Sequence, residues 1–108
     1  MKVAYRQIAS DDVVRQFRYY LLGADIPEVA MRFRDAVRRT VESLRHNPLL
    51  GPRYSSTDPE LQNVRSWPVG GFESIRIYYI LDAGAIQIIR VLHGKRDIKH
   101  ILENKQAV

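Results

Sequence analysis

Residues 64–98, VRSWPVGGFESIRIYYILDAGAIQIIRVLHGKRDI, decide the fold. Three runs rich in β-branched and aromatic residues, 61–69, 72–81 and 85–92, are separated by Gly70-Gly71 and by Asp82-Ala83-Gly84. Connections that short join only antiparallel neighbours, so the stretch predicts a meander of three strands. Each strand carries an arginine: Arg65, Arg76 and Arg90. A guanidinium in mid-strand is costly unless it meets water or a partner. Two readings are open: ordinary solvated positions, or a cationic sheet face built to meet something anionic.

Strand parity sharpens the second reading. Ile75, Ile77, Tyr79 and Leu81 point one way, while Phe72, Ser74, Arg76, Tyr78 and Ile80 point the other. The first set suits a core. The second mixes arginine with aromatic rings, as in interfaces that bury rings and desolvate guanidinium groups. Arg65 and Trp67 share a face of their strand, and a lone tryptophan is more often core or rim than contact.

Upstream, residues 2–9 read as a short first strand. Ser10 is placed as a helix N-cap, with Asp11 and Asp12 in the first turn where the helix dipole favours anions. Val13, Val14, Phe17, Tyr20 and Leu21 recur at helical spacing up to Gly23. A second helix opens at Asp25-Ile26-Pro27, carries an apolar stripe from Val29 to Leu44, and stops at Asn47-Pro48. A connection this short makes the two helices an antiparallel hairpin. Arg32, Arg34, Arg38, Arg39 and Arg45 lie mostly off the stripe, with Glu28–Arg32 and Asp35–Arg39 spaced as ion pairs; this basic back suits a solvated face first and nucleic-acid or partner contact second. Residues 48–60 are a loop, residues 97–104 suggest a last helical turn or two, and Lys105 to Val108 a frayed tail.

The chain of 108 residues has room for a single domain, 1–108. It has no cysteine, which excludes disulfides, zinc–thiolate sites, iron–sulfur clusters and thiol nucleophiles. No signal-peptide or membrane-spanning pattern is present, so the expected location is the cytoplasm. Net charge is +5 and the pI about 9.8, with thirteen arginines against four lysines. Arginine is favoured where a planar fork grips a carboxylate or phosphate, so an acidic partner is expected.

The pieces form a distinctive ordered set. They comprise the strand–helix–helix start, AxRFxxAVxxTVESLxxNPxxG at Ala30–Gly51, VRSWPVGGF at Val64–Phe72, IRIYYIL at Ile75–Leu81 and IxIIRVLHGKRDI at Ile86–Ile98. The set resembles the ParE-like toxins of the RelE/ParE superfamily of bacterial toxin–antitoxin systems. That resemblance implies an α+β fold of order β-α-α-β-β-β with a short C-terminal helix, its N-terminal strand and helical hairpin packed on an antiparallel sheet. It also implies a cognate acidic antitoxin that neutralises the toxin, with growth inhibition and plasmid stabilisation as the biological outcomes. ParE-like members are taken to poison DNA gyrase, and RelE-like members cleave messenger RNA on the ribosome.

RNA cleavage by 2′-hydroxyl attack needs a proton acceptor, a proton donor and cations for the charge on phosphorus. Matched to the RelE-like pattern, Arg76 and Arg96 are kept. The strand lysines are not, since Ser66-Trp67-Pro68 stands there, and the C-terminal tyrosine position holds an aliphatic residue near Leu102. His93 could move a proton, or simply cap and hydrogen-bond at the strand end. His93, Asp97 and His100 have the spacing of metal ligands on a helix, which Gly94 argues against, and His46 suits a helix C-terminus. Arg96 and Asp97 can equally form an ion pair or a helix cap.

The expectation is therefore a gyrase-binding toxin without catalysis, metal or cofactor, with no membrane association and no direct sequence-specific nucleic-acid binding. Antitoxin or target contacts are expected at Arg65, Trp67, Arg76, Tyr78, Arg90, His93 and Arg96. The alternatives are a ribosome-dependent endonuclease using Arg76, His93 and Arg96, and a non-toxic binding module of the same fold.

Overall fold

The computed structural model describes residues 1–55, 57–94 and 101. Strand β1 (Lys2–Tyr5) leads into helix α1 (Gln7–Arg18), a π-helical turn (Tyr19–Gly23) and helix α2 (Pro27–His46). After a loop with one 3-10 turn (Pro59–Leu61) come β2 (Arg65–Val69), β3 (Phe72–Asp82) and β4 (Ala85–His93). β2, β3 and β4 form the expected antiparallel meander, and β1 adds in parallel to the far edge of β4, giving the order β1-β4-β3-β2. The last expected helix lies outside the described residues apart from Ile101.

The first strand is shorter than expected, and Ser10 does not cap the helix. Arg6 is the cap residue. Its N–H donates to the Ile88 carbonyl at 3.0 Å, closing the parallel ladder, and its own carbonyl accepts from Ala9 and Ser10. Short mixed runs such as Gln7–Ser10 fit either period, and here the ladder to β4 ends the strand. The helix therefore starts early enough to carry Asp12 inward, where only 3% of it is exposed.

Phe33, Leu44, Ile77, Tyr79, Ile86 and Ile88 make the fully buried centre between hairpin and sheet. Phe72 departs from its expected face. Val69 pairs with Phe72 but Pro68 pairs with Arg76, so the register shift resets parity within β3. Phe72 thereby joins Tyr20 and Phe33 in a ring cluster with centroids 5.4–5.9 Å apart. Leu81, at the strand end, stays exposed. In β4, Tyr79 pairs with Ile88 and Tyr78 with Arg90, leaving Ile89 as a bulge. Ile89 packs with Leu61, Val64, Tyr78 and Leu92 in a second apolar cluster, which Tyr54, Ile80 and Ile101 flank.

Two polar ties hold this frame. At one edge, Asp12 takes a bidentate ion pair from Arg90 (2.8 and 2.9 Å), the Val91 N–H (3.0 Å) and Arg15 (3.3 Å). At the other, the Tyr79 hydroxyl donates to the Pro48 carbonyl at 2.8 Å and accepts the Gly51 N–H at 3.0 Å. A Cβ on Gly51 would lie 2.6 Å from the Ser66 carbonyl oxygen and 2.8 Å from the Tyr79 hydroxyl. That close approach explains the glycine of the NPxxG stretch.

Gly51→Ala is expected to cost about 2–3 kcal/mol in urea unfolding, because backbone on one side must shift. Gly70→Ala, whose Cβ would meet nothing closer than the Thr40 hydroxyl at 3.7 Å, should change stability by less than about 1 kcal/mol. Either single substitution Asp12→Ala or Arg90→Ala strands a buried charge and should cost about 3–5 kcal/mol. The double substitution should cost clearly less than the sum, and additive losses would show that the pair is not coupled. Burial raises the Tyr79 phenol above its ordinary value, with the Gly51 hydrogen bond and Arg65 opposing. The unfolded chain therefore ionises first, so this stabilisation is complete below about pH 10 and declines as pH rises beyond it. Tyr79→Phe should flatten that alkaline decline in a stability-against-pH series.

Candidate functional site

The strand arginines diverge, and each has an acceptor within the chain. Arg90 sits opposite Tyr78 in register, yet the bulge at Ile89 lets its guanidinium reach round the β4 edge to Asp12. β1 ends opposite Ile88, so the β4 edge beyond it is open, and the Asp12 carboxylate satisfies the Val91 N–H there. Arg65 donates to the Gly51 carbonyl at 2.8 Å on the opposite side of the sheet. Arg76, between them, bonds the Ser66 hydroxyl at 3.0 and 3.3 Å and the Ser66 carbonyl at 3.4 Å.

The other expected contacts are less uniform still. Tyr78 is buried, edge-on to Tyr54 at 6.3 Å, and burial raises its phenol above the ordinary value against the pull of the Arg76 charge. Trp67 is half-buried against the main core. His93, also half-buried, bonds Gln16 at 3.2 Å, so α1 grips β4 a second time one turn beyond Asp12. The Gly94 N–H donates to the Ser74 carbonyl at 2.7 Å, and the Arg76 stem lies 3.5 Å from where a Gly94 Cβ would stand. Arg76 and the β4 terminus are thus brought together, whereas Arg65 and Arg90 are held at separate edges. Arg96, like Asp97 and His100, lies outside the described residues.

A different feature lies open at the surface. Between β1, α1 and α2 runs a groove of about 580 Å³. Val3, Val13, Val14, Val37 and Val41 make its apolar lining, and Val14 remains 46% exposed. Arg34, Arg38 and Arg45, spaced four and seven residues apart, run along one side, with Tyr5 at the β1 end. The sequence leaves these arginines on a back that is either solvated or partner-facing, and the structure sets them along the flank of α2 beside α1. The adjacent pair Val13-Val14 was the other available sign, since a helix that buries only one stripe has no place for both.

The ion pairs on α2 are also rearranged. Glu28–Arg32 and Asp35–Arg39 do not form; Asp35 meets Arg34 at 3.5 Å instead. Arg45 grips Glu42 with two nitrogens, the closest contact 2.5 Å, and that hydrogen bond and charge hold the Glu42 carboxyl below its usual range. His46 bonds the Glu42 carbonyl at 2.9 Å, as suits a helix C-terminus. Among the described residues Arg38 has no carboxylate partner.

Comparison with known proteins supplies the family. The family profile "ParE toxin of type II toxin-antitoxin system, parDE" matches residues 3–98. Among solved structures, the chromosomal ParDE TA system from P. aeruginosa is 20% identical, with a TM-score of 0.67, covering 86% of this chain and 95% of that one. The YoeB/ParE toxin from Agrobacterium tumefaciens is 14% identical, with a TM-score of 0.54, covering 86% of this chain and 98% of that one. At these identities the two structures speak for the fold alone. A search of curated proteins found no match. Among the described residues no helix is long and apolar enough to cross a membrane. With its profile match spanning nearly the whole domain, the chain belongs to the ParE toxin family of type II toxin–antitoxin systems.

Proposed function

We propose that this protein is a toxin that binds and poisons DNA gyrase, and that a cognate acidic antitoxin silences it by laying an amphipathic helix in the groove between β1, α1 and α2. The observation that carries the partner reading is the groove: an apolar floor beside three arginines, on a chain of net charge +5. Helix-in-groove recognition uses this combination, with apolar anchors for affinity and charge for orientation and on-rate.

The gyrase reading rests on family membership and on what the sheet offers to chemistry. Arg76 is engaged with Ser66, and His93 with Gln16. Ser66-Trp67-Pro68 stands where the resemblance would put nuclease lysines. Beside Arg76, the second face of the sheet holds the cluster of Leu61, Val64, Tyr78, Ile89 and Leu92. Phosphoryl chemistry needs converging, preorganised cations, and these are dispersed. Trp67, Arg76 and His93, half-buried at the strand ends and along the sheet, remain proposed target contacts; Arg65 and Arg90 serve the frame.

Purified protein is expected to inhibit gyrase supercoiling and to accumulate cleaved-DNA complexes, while messages in a translating extract stay intact. His93→Ala should lower that inhibition no more than about tenfold, as for loss of one rim contact. Transcript cleavage on ribosomes with unaffected supercoiling would instead establish the endonuclease. No growth defect on expression without an antitoxin would leave a non-toxic binding module.

A further inference from the structure

The three groove arginines are not equivalent. Arg34 lies 3.5 Å from Asp35, and Arg45 is held by Glu42 through both oxygens. Arg38, between them on the same side, is exposed and has no carboxylate partner among the described residues. Across the groove stands Tyr5, 41% exposed, whose hydroxyl makes no hydrogen bond among the described residues. Both residues line the same groove, and burial raises that phenol above its ordinary value while the Arg38 charge opposes the rise. A guanidinium supplies only donors, and a phenol beside it most readily donates as well. Two donors lining one apolar channel specify an acceptor, and a charged acceptor best.

From this we propose that Arg38 and Tyr5 form a clamp for a single side-chain carboxylate of the polypeptide helix that occupies the groove. The proposal rests on the groove reading given above and narrows it. Arg34 and Arg45 already face Asp35 and Glu42, so they offer less unmatched charge than Arg38, together with apolar stems along the rim. The occupant is then not a uniformly acidic tract. It is an amphipathic helix with apolar residues at i, i+3, i+4 and i+7 and one required Glu or Asp on the flank that meets Arg38. A charge-assisted, bidentate contact of that kind gives one position far more discrimination than the rim around it.

The test selects from a displayed library of amphipathic helical 18-residue peptides, with the flank positions randomised, against the immobilised full-length chain. Enriched peptides should carry Glu or Asp at one flank position, and changing that residue to Gln should weaken binding about tenfold or more. Arg38→Gln should produce the same loss and should not add to it. Tyr5→Phe should cost about fivefold, while Arg45→Gln should cost less than about twofold. Val14→Asp, at an exposed position in the channel, locates the binding. Peptides that Val14→Asp abolishes but Arg38→Gln leaves untouched would overturn the clamp and keep the groove. Peptides indifferent to Val14→Asp, or no enrichment at all, would overturn both. Acidic preference spread over many positions and lost equally on Arg34→Gln or Arg45→Gln would mean general charge attraction and would also refute the clamp.

Discussion

The buried carboxylate of Asp12 is the contact on which the arrangement of helices and sheet depends. β1 pairs with β4 over only four residues and stops at Tyr5, which leaves the upper edge of β4 without a strand neighbour. The Val91 N–H on that edge would be an orphan donor beneath a helix. Asp12 accepts it, takes both arms of Arg90 and a third contact from Arg15, so a charge with 1% of its side chain exposed is met on every side. Gln16 repeats the grip one turn later through His93. A buried charge is stable only under such complete satisfaction, and completeness is also what fixes the position of α1.

That anchorage shapes the binding surface. Asp12 and Gln16 turn toward β4, so Ser10 and Val14 turn away from it toward α2, with Val13 between the two faces. At the far end the hairpin is held by the Tyr20–Phe33–Phe72 rings and by the Thr40 hydroxyl, which accepts the Gly70 N–H at 3.1 Å. With α1 drawn to one edge of the sheet and α2 fixed near the β2–β3 turn, the helices leave a valine-lined channel between them over β1. The channel is thus a by-product of satisfying β4, and its arginines come from the flank of α2 that packing leaves free.

Much of this was legible in the sequence. The meander followed from Gly70-Gly71 and Asp82-Ala83-Gly84, and α2 from its stripe and its proline boundaries, because short-range rules govern both. Three things were not legible, for one reason: they depend on register. The bulge at Ile89 redirects Arg90, the shift after Pro68 carries Phe72 to the helix side, and the parallel pairing of β1 starts α1 early enough to bury Asp12. Parity counting assumes an unbroken strand, so the shift after Pro68 inverted the inference drawn for Phe72. A basic, arginine-rich chain did point to an acidic partner. Which arginines were free to meet it could be known only once their internal acceptors were in place.

The fate of Arg76 illustrates what the same framework does with a strand cation. Its hydrogen bonds to Ser66, at 3.0–3.4 Å, are ordinary in length, and breaking them to meet a ligand costs about 1–3 kcal/mol. A docking surface absorbs that cost, since many contacts form together and none must be aligned in advance. A transition state for phosphoryl transfer does not, because its stabilisation comes from cations already held where charge develops. Arg65 and Arg90 could not join Arg76 without releasing Gly51 and Asp12, which would open both edges of the sheet. Among the described residues, those that make this sheet stable are therefore the ones that hold its strand arginines apart.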